Sequence, residues 1–258
     1  MMKNKILRSL IRCAAILLFW LLAWQLASHL VGKELLLPSP QRVIGRIGEL
    51  LLTKEFYKTT AVSVLRVLGG IILAVFLGTV LTVLTYVSKV ADALLRPLVT
   101  VIKATPVASF IILALVWLDR SNLPIFISLL MVLPVVWTNL SEGLREVDKK
   151  LLEMADVYKV SFFSKVMHIY IPSVMPYFSS ATKTSIGLAW KAGVAAEVIA
   201  LPALSIGKKL FDSKAYLETT DLFAWTSVVI VLSLLLEIFF EALISSLTKR
   251  RAVYAEDK

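Results

Sequence analysis

The chain has 258 residues, of which 58% are hydrophobic and only 18% charged, with a mean hydropathy of +0.82. An ordinary soluble domain is excluded, since such domains are roughly half apolar and about a quarter charged. The formal net charge of +10 does not mark a nucleic-acid binder, because Lys and Arg lie between apolar runs and at both ends instead of forming one basic domain.

A bilayer crossing needs about 20 mostly apolar residues. Six runs qualify in chain order, over about 10–31, 61–87, 94–118, 123–140, 176–201 and 222–247. The expected fold class is all-α, a polytopic membrane helical bundle of about six transmembrane helices. The fourth run is the weakest, because its apolar core is short and carries Pro124 and Pro134. The first follows Lys3, Lys5, Arg8 and Arg12 like a secretory signal, but its apolar stretch exceeds the usual signal core of about 7 to 15 residues, so it reads as a retained span. Cys13, the only cysteine, lies at the start of this run, which excludes an internal disulfide and any Cys-based metal cluster.

After the first run, Val43, Ile44, Ile47, Leu50 and Leu51 recur at helical spacing, which predicts a short amphipathic helix at the outer interface, capping the bundle. There is no internal repeat, low-complexity tract or separate soluble domain, so residues 1–258 read as one membrane domain.

Basic residues near short loops favour the cytoplasm. An even number of spans puts the N-terminal cluster and Lys249, Arg250 and Arg251 on that side together, with both termini cytoplasmic. The segment 141–171, with Arg145, Lys149, Lys150, Lys159 and Lys165, then faces the cytoplasm too. Lys33, Arg42, Arg46, Lys54 and Lys58 in the first outer loop, and Lys208, Lys209 and Lys214 in the last, run against this bias.

Segment 141–171 is too long and too charged for a passive connector. Leu151, Leu152, Ala155, Tyr158 and Phe162 recur at helical spacing, with Glu153, Asp156 and Lys159 on an adjoining face, which predicts an amphipathic helix that docks in a groove of another protein. Ile171, Pro172 and Pro176 then predict a break before the fifth span.

Glu153-Met154-Ala155, followed at the expected distance by Ile171-Pro172, resembles the EAA loop of ABC-importer permeases. Met154 stands where that pattern has its central Ala, and Lys159 where it has Gly. The segments LLLPSPQRV, TTAVSVLRVLGGIILAVFLGTVLTVL, RPLVTVIKATPVASFIILALVWL, EGLREVDKKLLEMA and IGLAWKAGVAAEVIAL are similar, in order and spacing, to the nitrate, sulfonate and taurine branch of these permeases.

The resemblance implies a permease in the bacterial cytoplasmic membrane that works as a pair, a homodimer, on two copies of a cytoplasmic ABC ATPase. Glu153, Ala155, Asp156, Lys159 and Pro172 are the implied ATPase-coupling residues, on a cytoplasmic coupling helix between spans four and five. ATP and Mg are bound by the partner ATPase, with no cofactor, metal or catalytic residue in this chain, and an extracytoplasmic binding protein delivers the substrate. A small anion or organosulfur solute is the implied substrate, with another small nutrient such as a heterocyclic vitamin precursor as the alternative.

Ionisable residues within spans face a cavity or a partner, because lipid exposure costs on the order of 3 kcal/mol or more. Arg66 reads as a residue snorkelling at a span end, and Lys183 as structural. Lys103, Lys191 and Glu197 are candidates for a translocation path. Lys191 and Glu197 are six positions apart, about 600° of helix rotation, and so lie on different faces. Two readings of Lys191 stand: it faces a symmetry mate or an anionic substrate, or it pairs with Glu237 or Glu241. The small residues Gly187, Ala189, Ala192, Gly193, Ala195 and Ala196 predict close helix contacts, as do Gly69, Gly70 and Gly78.

An intramembrane enzyme needs a nucleophile or metal constellation, and the sequence has one Cys, two separated His residues, and no HExxH or GxSxG pattern. A channel has no use for a docking helix. No Walker A pattern is present, so ATP use falls to another chain.

Overall fold

The structure is a computed structural model that describes residues 2–256, with the side chains of 2–11, 13–14 and 246–256 outside the described set. Cys13, Lys3, Lys5, Arg8, Lys249, Arg250 and Arg251 fall outside the described residues in this sense. Eleven α-helices follow in chain order: α1 (Met2–Val31), α2 (Pro40–Leu51), α3 (Lys54–Val87), α4 (Lys89–Ala104), α5 (Val107–Ala114), α6 (Leu123–Arg145), α7 (Lys149–Val157), α8 (Phe162–Lys165), α9 (Ile171–Ala200), α10 (Ile206–Ala215) and α11 (Thr219–Glu256). A π-helical turn, Val166–Tyr170, joins α8 to α9. No strand occurs among the described residues, so the all-α class holds.

The weakest predicted span is the centre of the bundle. Helix α6 is apolar on nearly every side, with Leu123, Ile127, Val132, Val136 and Leu140 buried, and it is clasped by α3 and α9. Missing side chains permit the closest approaches. A Cβ on Gly70 would fall 2.5 Å from the Ile125 carbonyl oxygen, and one on Gly78 would fall 2.8 Å from Val136 Cγ1. Gly193 faces Val67 and Ser128, whereas Gly69 meets only Ile125, at 4.0 Å, and is not a close-approach point.

The same contacts fix helix direction. Gly70 lies beside 125–128 and Gly78 beside Val136, so α3 and α6 run the same way. Helix α9 runs against both, with Glu197 on Ser63 and Tyr170 on Tyr86. Helix α11 runs against α9, with Trp190 donating to the Val229 carbonyl and Lys183 paired with Glu241. The C-terminal parts of α3 and α11 therefore share one end of the bundle with α7, and α2 and α10 cap the other.

The predicted third span is not one helix. Helices α4 and α5 are bent by 105° across a short break, where Pro106, with no N–H, holds Thr105 extended at φ −84°, ψ 131°. Among the described residues, α3, α6 and the 219–245 part of α11 are long and apolar enough to cross a membrane, and the bent α4–α5 pair has the composition of a broken span or a re-entrant loop. Helix α1 contributes a shorter apolar stretch, Ala15–Val31, and α9 carries Lys183 and Lys191 on exposed positions and Glu197 in the core. The outer sides of α1 and α11 expose Leu17, Phe19, Leu22, Leu234 and Ile238, as lipid-facing surfaces do.

Helix α2 caps the bundle as predicted: Val43 and Leu50 are buried, Ile44 and Leu51 exposed. Arg46 binds Asp221 of α11 with two hydrogen bonds, of 2.6 and 2.9 Å, and Glu49 with a third; these anions push its pKa up, Asp221 most. The last outer loop, unassigned in the sequence reading, forms α10, whose Lys209 pairs with Glu55 at 2.6 Å.

Candidate functional site

At the α7 end the chain builds a projecting helix. Asp148 caps it by accepting from the Lys150 N–H at 2.8 Å, and only Ala155 is buried. Leu151, Met154, Val157 and Tyr158 are exposed, the last two at 79% and 76%, and Phe162 and Phe163 extend the apolar surface. Of the predicted amphipathic face, Leu151, Tyr158 and Phe162 are exposed while Ala155 anchors the helix inward, and Met154 stands on the open side. Glu153 is exposed, with no ion-pair partner among the described residues, and Asp156 is paired with Lys165.

The helix stops at Lys159, which adopts φ +52°. Lys159 N–H donates to the Asp156 carbonyl at 3.0 Å and Val160 N–H to the Ala155 carbonyl at 2.9 Å, the double closure of a Schellman motif. The position that resembles a family glycine is thus one whose backbone favours glycine, and the sharp bend forms with lysine in place. The break predicted at Ile171-Pro172 moves here. Pro172 lies in the first turn of α9, inside a helical run from Phe162 onward, because the π-helical turn before it absorbs the missing N–H: Ile171 N–H reaches back to the Val166 carbonyl. The C-terminal parts of α3 and α6 and the N-terminal part of α9 enclose an apolar cavity of about 430 Å³ beside this junction, with Phe162 and Val166 in its wall.

Helix α9 buries most of its surface, yet Thr184, Leu188, Lys191, Ala195 and Ile199 form an exposed stripe at helical spacing. Ala192, Ala196 and Ala200 beside it pack against α5, while Gly187 and Trp190 on the other flank meet α11. Lys191 has no ion-pair partner among the described residues. Glu241 is taken by Lys183 at 2.7 Å, and Glu237 lies over Gly187, accepting from Ser233 at 3.5 Å. Pairing of Lys191 with Glu241 is therefore not what the structure holds. Lys103 ends α4 at the bend and donates to Thr138 Oγ1 of α6 at 2.7 Å.

Glu197 leaves this face altogether. It is fully buried, and its Oε2 accepts from Ser63 Oγ at 2.8 Å and from the Gly207 N–H at 3.2 Å. Ser63 Oγ in turn accepts from the Ile206 N–H at 3.0 Å. Arg66 stands 3.5 Å from Glu197 Oε1 and donates to the carbonyls of Ala203 and Leu204, at 3.2 Å each. Arg66 does not snorkel; it closes a buried hub that ties α3, α9 and the first turn of α10. Of the three residues expected on a path, Lys191 and Lys103 are on open surface, and Glu197 is this hub's centre. The part played by Arg66 was missed in the sequence, where it lies 131 positions from Glu197, although its place within an apolar run was a signal.

A helical bundle with lipid-type outer faces, an exposed stripe on α9 that carries Lys191, and a projecting helix at one end has the architecture of a polytopic membrane protein. The chain belongs to the family described as "Binding-protein-dependent transport system inner membrane component", which matches residues 56–252. The bicarbonate transport system permease protein CmpB of Synechococcus elongatus (strain ATCC 33912 / PCC 7942 / FACHB-805) is 25% identical over 233 residues, 86% of this chain and 84% of the relative. The taurine transport system permease protein TauC of Escherichia coli (strain K12) is 23% identical over 242 residues, 91% of this chain and 86% of the relative. A crystal structure of an amino acid ABC transporter with histidines shares the fold, with a TM-score of 0.58 at 14% identity over 73% of this chain and 90% of that one. The chain is accordingly a permease subunit of an ABC importer.

Proposed function

We propose that the chain carries a small anion or organosulfur solute across the cytoplasmic membrane as one of two permease copies, with both termini and α7 on the cytoplasmic side. The observation that carries the coupling role is the exposure of Leu151, Met154, Val157 and Tyr158 on a helix anchored by a single buried alanine. Apolar groups held out from a membrane protein's aqueous end are a protein-docking surface. Here the partner is a cytoplasmic ATPase, which binds ATP and Mg while this chain hydrolyses nothing. Glu153, Asp156 and Lys159 rim the dock, and Pro172 steers the helix that leaves it.

Substrate arrives from an external binding protein, and the open face of α9 lines the path. The relatives named for bicarbonate and taurine, together with Lys191 uncompensated on that face, favour an anionic or sulfonate group over a cation. The test is recovery and coupling: the complex purified with its ATPase shows binding-protein-stimulated ATP hydrolysis, and Glu153→Lys abolishes the stimulation while leaving the chain in the membrane. Full stimulation in that variant removes the docking role.

A further inference from the structure

Arg120 and Lys191 stand at two depths along the open face of α9, and Lys103 stands at a third depth on the neighbouring contact between α4 and α6. Arg120 borders a cavity of about 400 Å³ with Asp119, Ile199 and Leu201 at the α10 end. Lys191 lies two turns further in, about 12 Å from Ile199 at about 1.5 Å per residue. Lys103 marks the third level. Ser128 of α6 is level with Ala189 and Gly193, and Thr138, which holds Lys103, is ten residues further along α6, about 15 Å toward the α7 end.

The carboxylates around this face are few and placed at its edges. Asp119 adjoins Arg120 at the mouth, Glu237 sits on the α11 flank over Gly187, and Glu142 shares a 260 Å³ pocket with Arg96 and Arg145 beyond Thr138. None is in ion-pair contact with Arg120, Lys191 or Lys103 among the described residues, so these three keep their field for whatever enters. Charges of one sign lining a cleft with low-dielectric walls concentrate counter-ions.

We propose that Arg120 and Lys191 on the open face of α9, with Lys103 on the adjoining seam of α4 and α6, form a stepped ladder of positive potential, which selects small oxyanions and passes them between depths of the bundle. This rests on reading that face as the translocation path. Lys191 is the middle rung, exposed on α9 and in no ion pair among the described residues. Lys103 is the inner rung, oriented by Thr138 at the α4–α5 bend.

The ladder is tested without knowing the substrate. In the complete complex carrying Cys13→Ser, Ala195→Cys places a thiol one turn from Lys191 on the open stripe. Two methanethiosulfonate reagents of similar size, one sulfonate and one quaternary ammonium, are compared by their rates at this thiol relative to a free thiol. The anionic reagent is expected to be favoured about ten-fold, within the range that focused potentials produce. Lys191→Met with Lys103→Met brings the ratio back to that of the free thiol, and Glu237→Gln raises it. Ala196→Cys, buried against α5, stays unreactive as the control for an intact bundle. A reactive Ala195→Cys with no charge preference overturns the ladder and leaves the path reading in place. An Ala195→Cys inert to both reagents overturns the path reading and the ladder with it.

Discussion

Gly207 opens α10 directly against Glu197 of α9, so close that a Cβ on the glycine would overlap both the glutamate Cβ and its backbone. The glycine N–H can donate to the buried carboxylate only because no side chain keeps the two helices apart. Gly207→Ala is therefore expected to destabilise the chain by about 1–3 kcal/mol, the usual cost of overpacking. Thermal unfolding in detergent reads this out, with Gly48→Ala, which meets nothing within 4 Å and should gain about 0.5–1 kcal/mol of helix propensity, as the unclashed comparison.

Removing the cation from the hub is the harsher change. Arg66→Met leaves Glu197 buried beside Ser63 with no positive charge and frees two carbonyls, and breaking a buried pair from one side costs about 3–5 kcal/mol. The double variant Arg66→Met with Glu197→Gln is expected to recover part of that loss. Unfolding measurements on the two single variants and the double form a closed cycle, and purely additive losses would show that the two residues do not interact.

Lys159 holds a left-handed backbone that costs a non-glycine residue about 1–2 kcal/mol. Lys159→Gly should relieve that cost and retain the two closing hydrogen bonds. Part of the gain is lost to the freer unfolded chain, so a net stabilisation of up to about 1 kcal/mol is expected. Lys159→Val, β-branched at the same φ, should destabilise. Equal melting points for the three chains would contradict the strain account.

Met154 and Tyr158 stand exposed on the helix proposed to dock the ATPase. Met154→Asp and Tyr158→Asp are each expected to lower affinity for the ATPase at least ten-fold, about 1.4 kcal/mol, with little change in stability because both side chains are exposed. Titration of the purified permease with the ATPase, beside a melting curve, separates the two effects.

The clasp between α2 and α11 depends on guanidinium geometry. Arg46→Lys keeps the charge but loses the paired contact with Asp221, and is expected to weaken the outer cap by about 0.5–1 kcal/mol, with a smaller penalty in high salt. Amide exchange in α2, compared at low and high ionic strength, reports it.

What could be read from the sequence depended on the range of each interaction. The amphipathic pattern of α2 and the existence of α7 are local, set by residues three and four apart, and both were legible. The α4–α5 bend was locally encoded as well, by Thr105-Pro106, but the high overall hydropathy of 94–118 hid it. Pro172 misled in the opposite sense, since a π-helical turn can absorb a proline and a Schellman closure at Lys159 can end a helix without one. Glu197 was the least legible residue: nothing in GLAWKAGVAAEVIAL tells that Ser63, Arg66 and the amides of α10 will surround it. Its distance from Lys191 around the helix was predicted correctly, and that separation puts one charge in the hub and the other on open surface.

The absence of a break at Pro172 gives the molecule a lever. From Phe162 to Ala200 the chain is one helical rod, about 60 Å long at about 1.5 Å per residue, roughly twice the thickness of the hydrocarbon layer. Its near end begins beside α7, and its far end is gripped by the Glu197 hub. A swing of the α7 end by a few ångströms would thus reach Lys191 as a tilt about a clamped fulcrum, without any bond along the rod having to open.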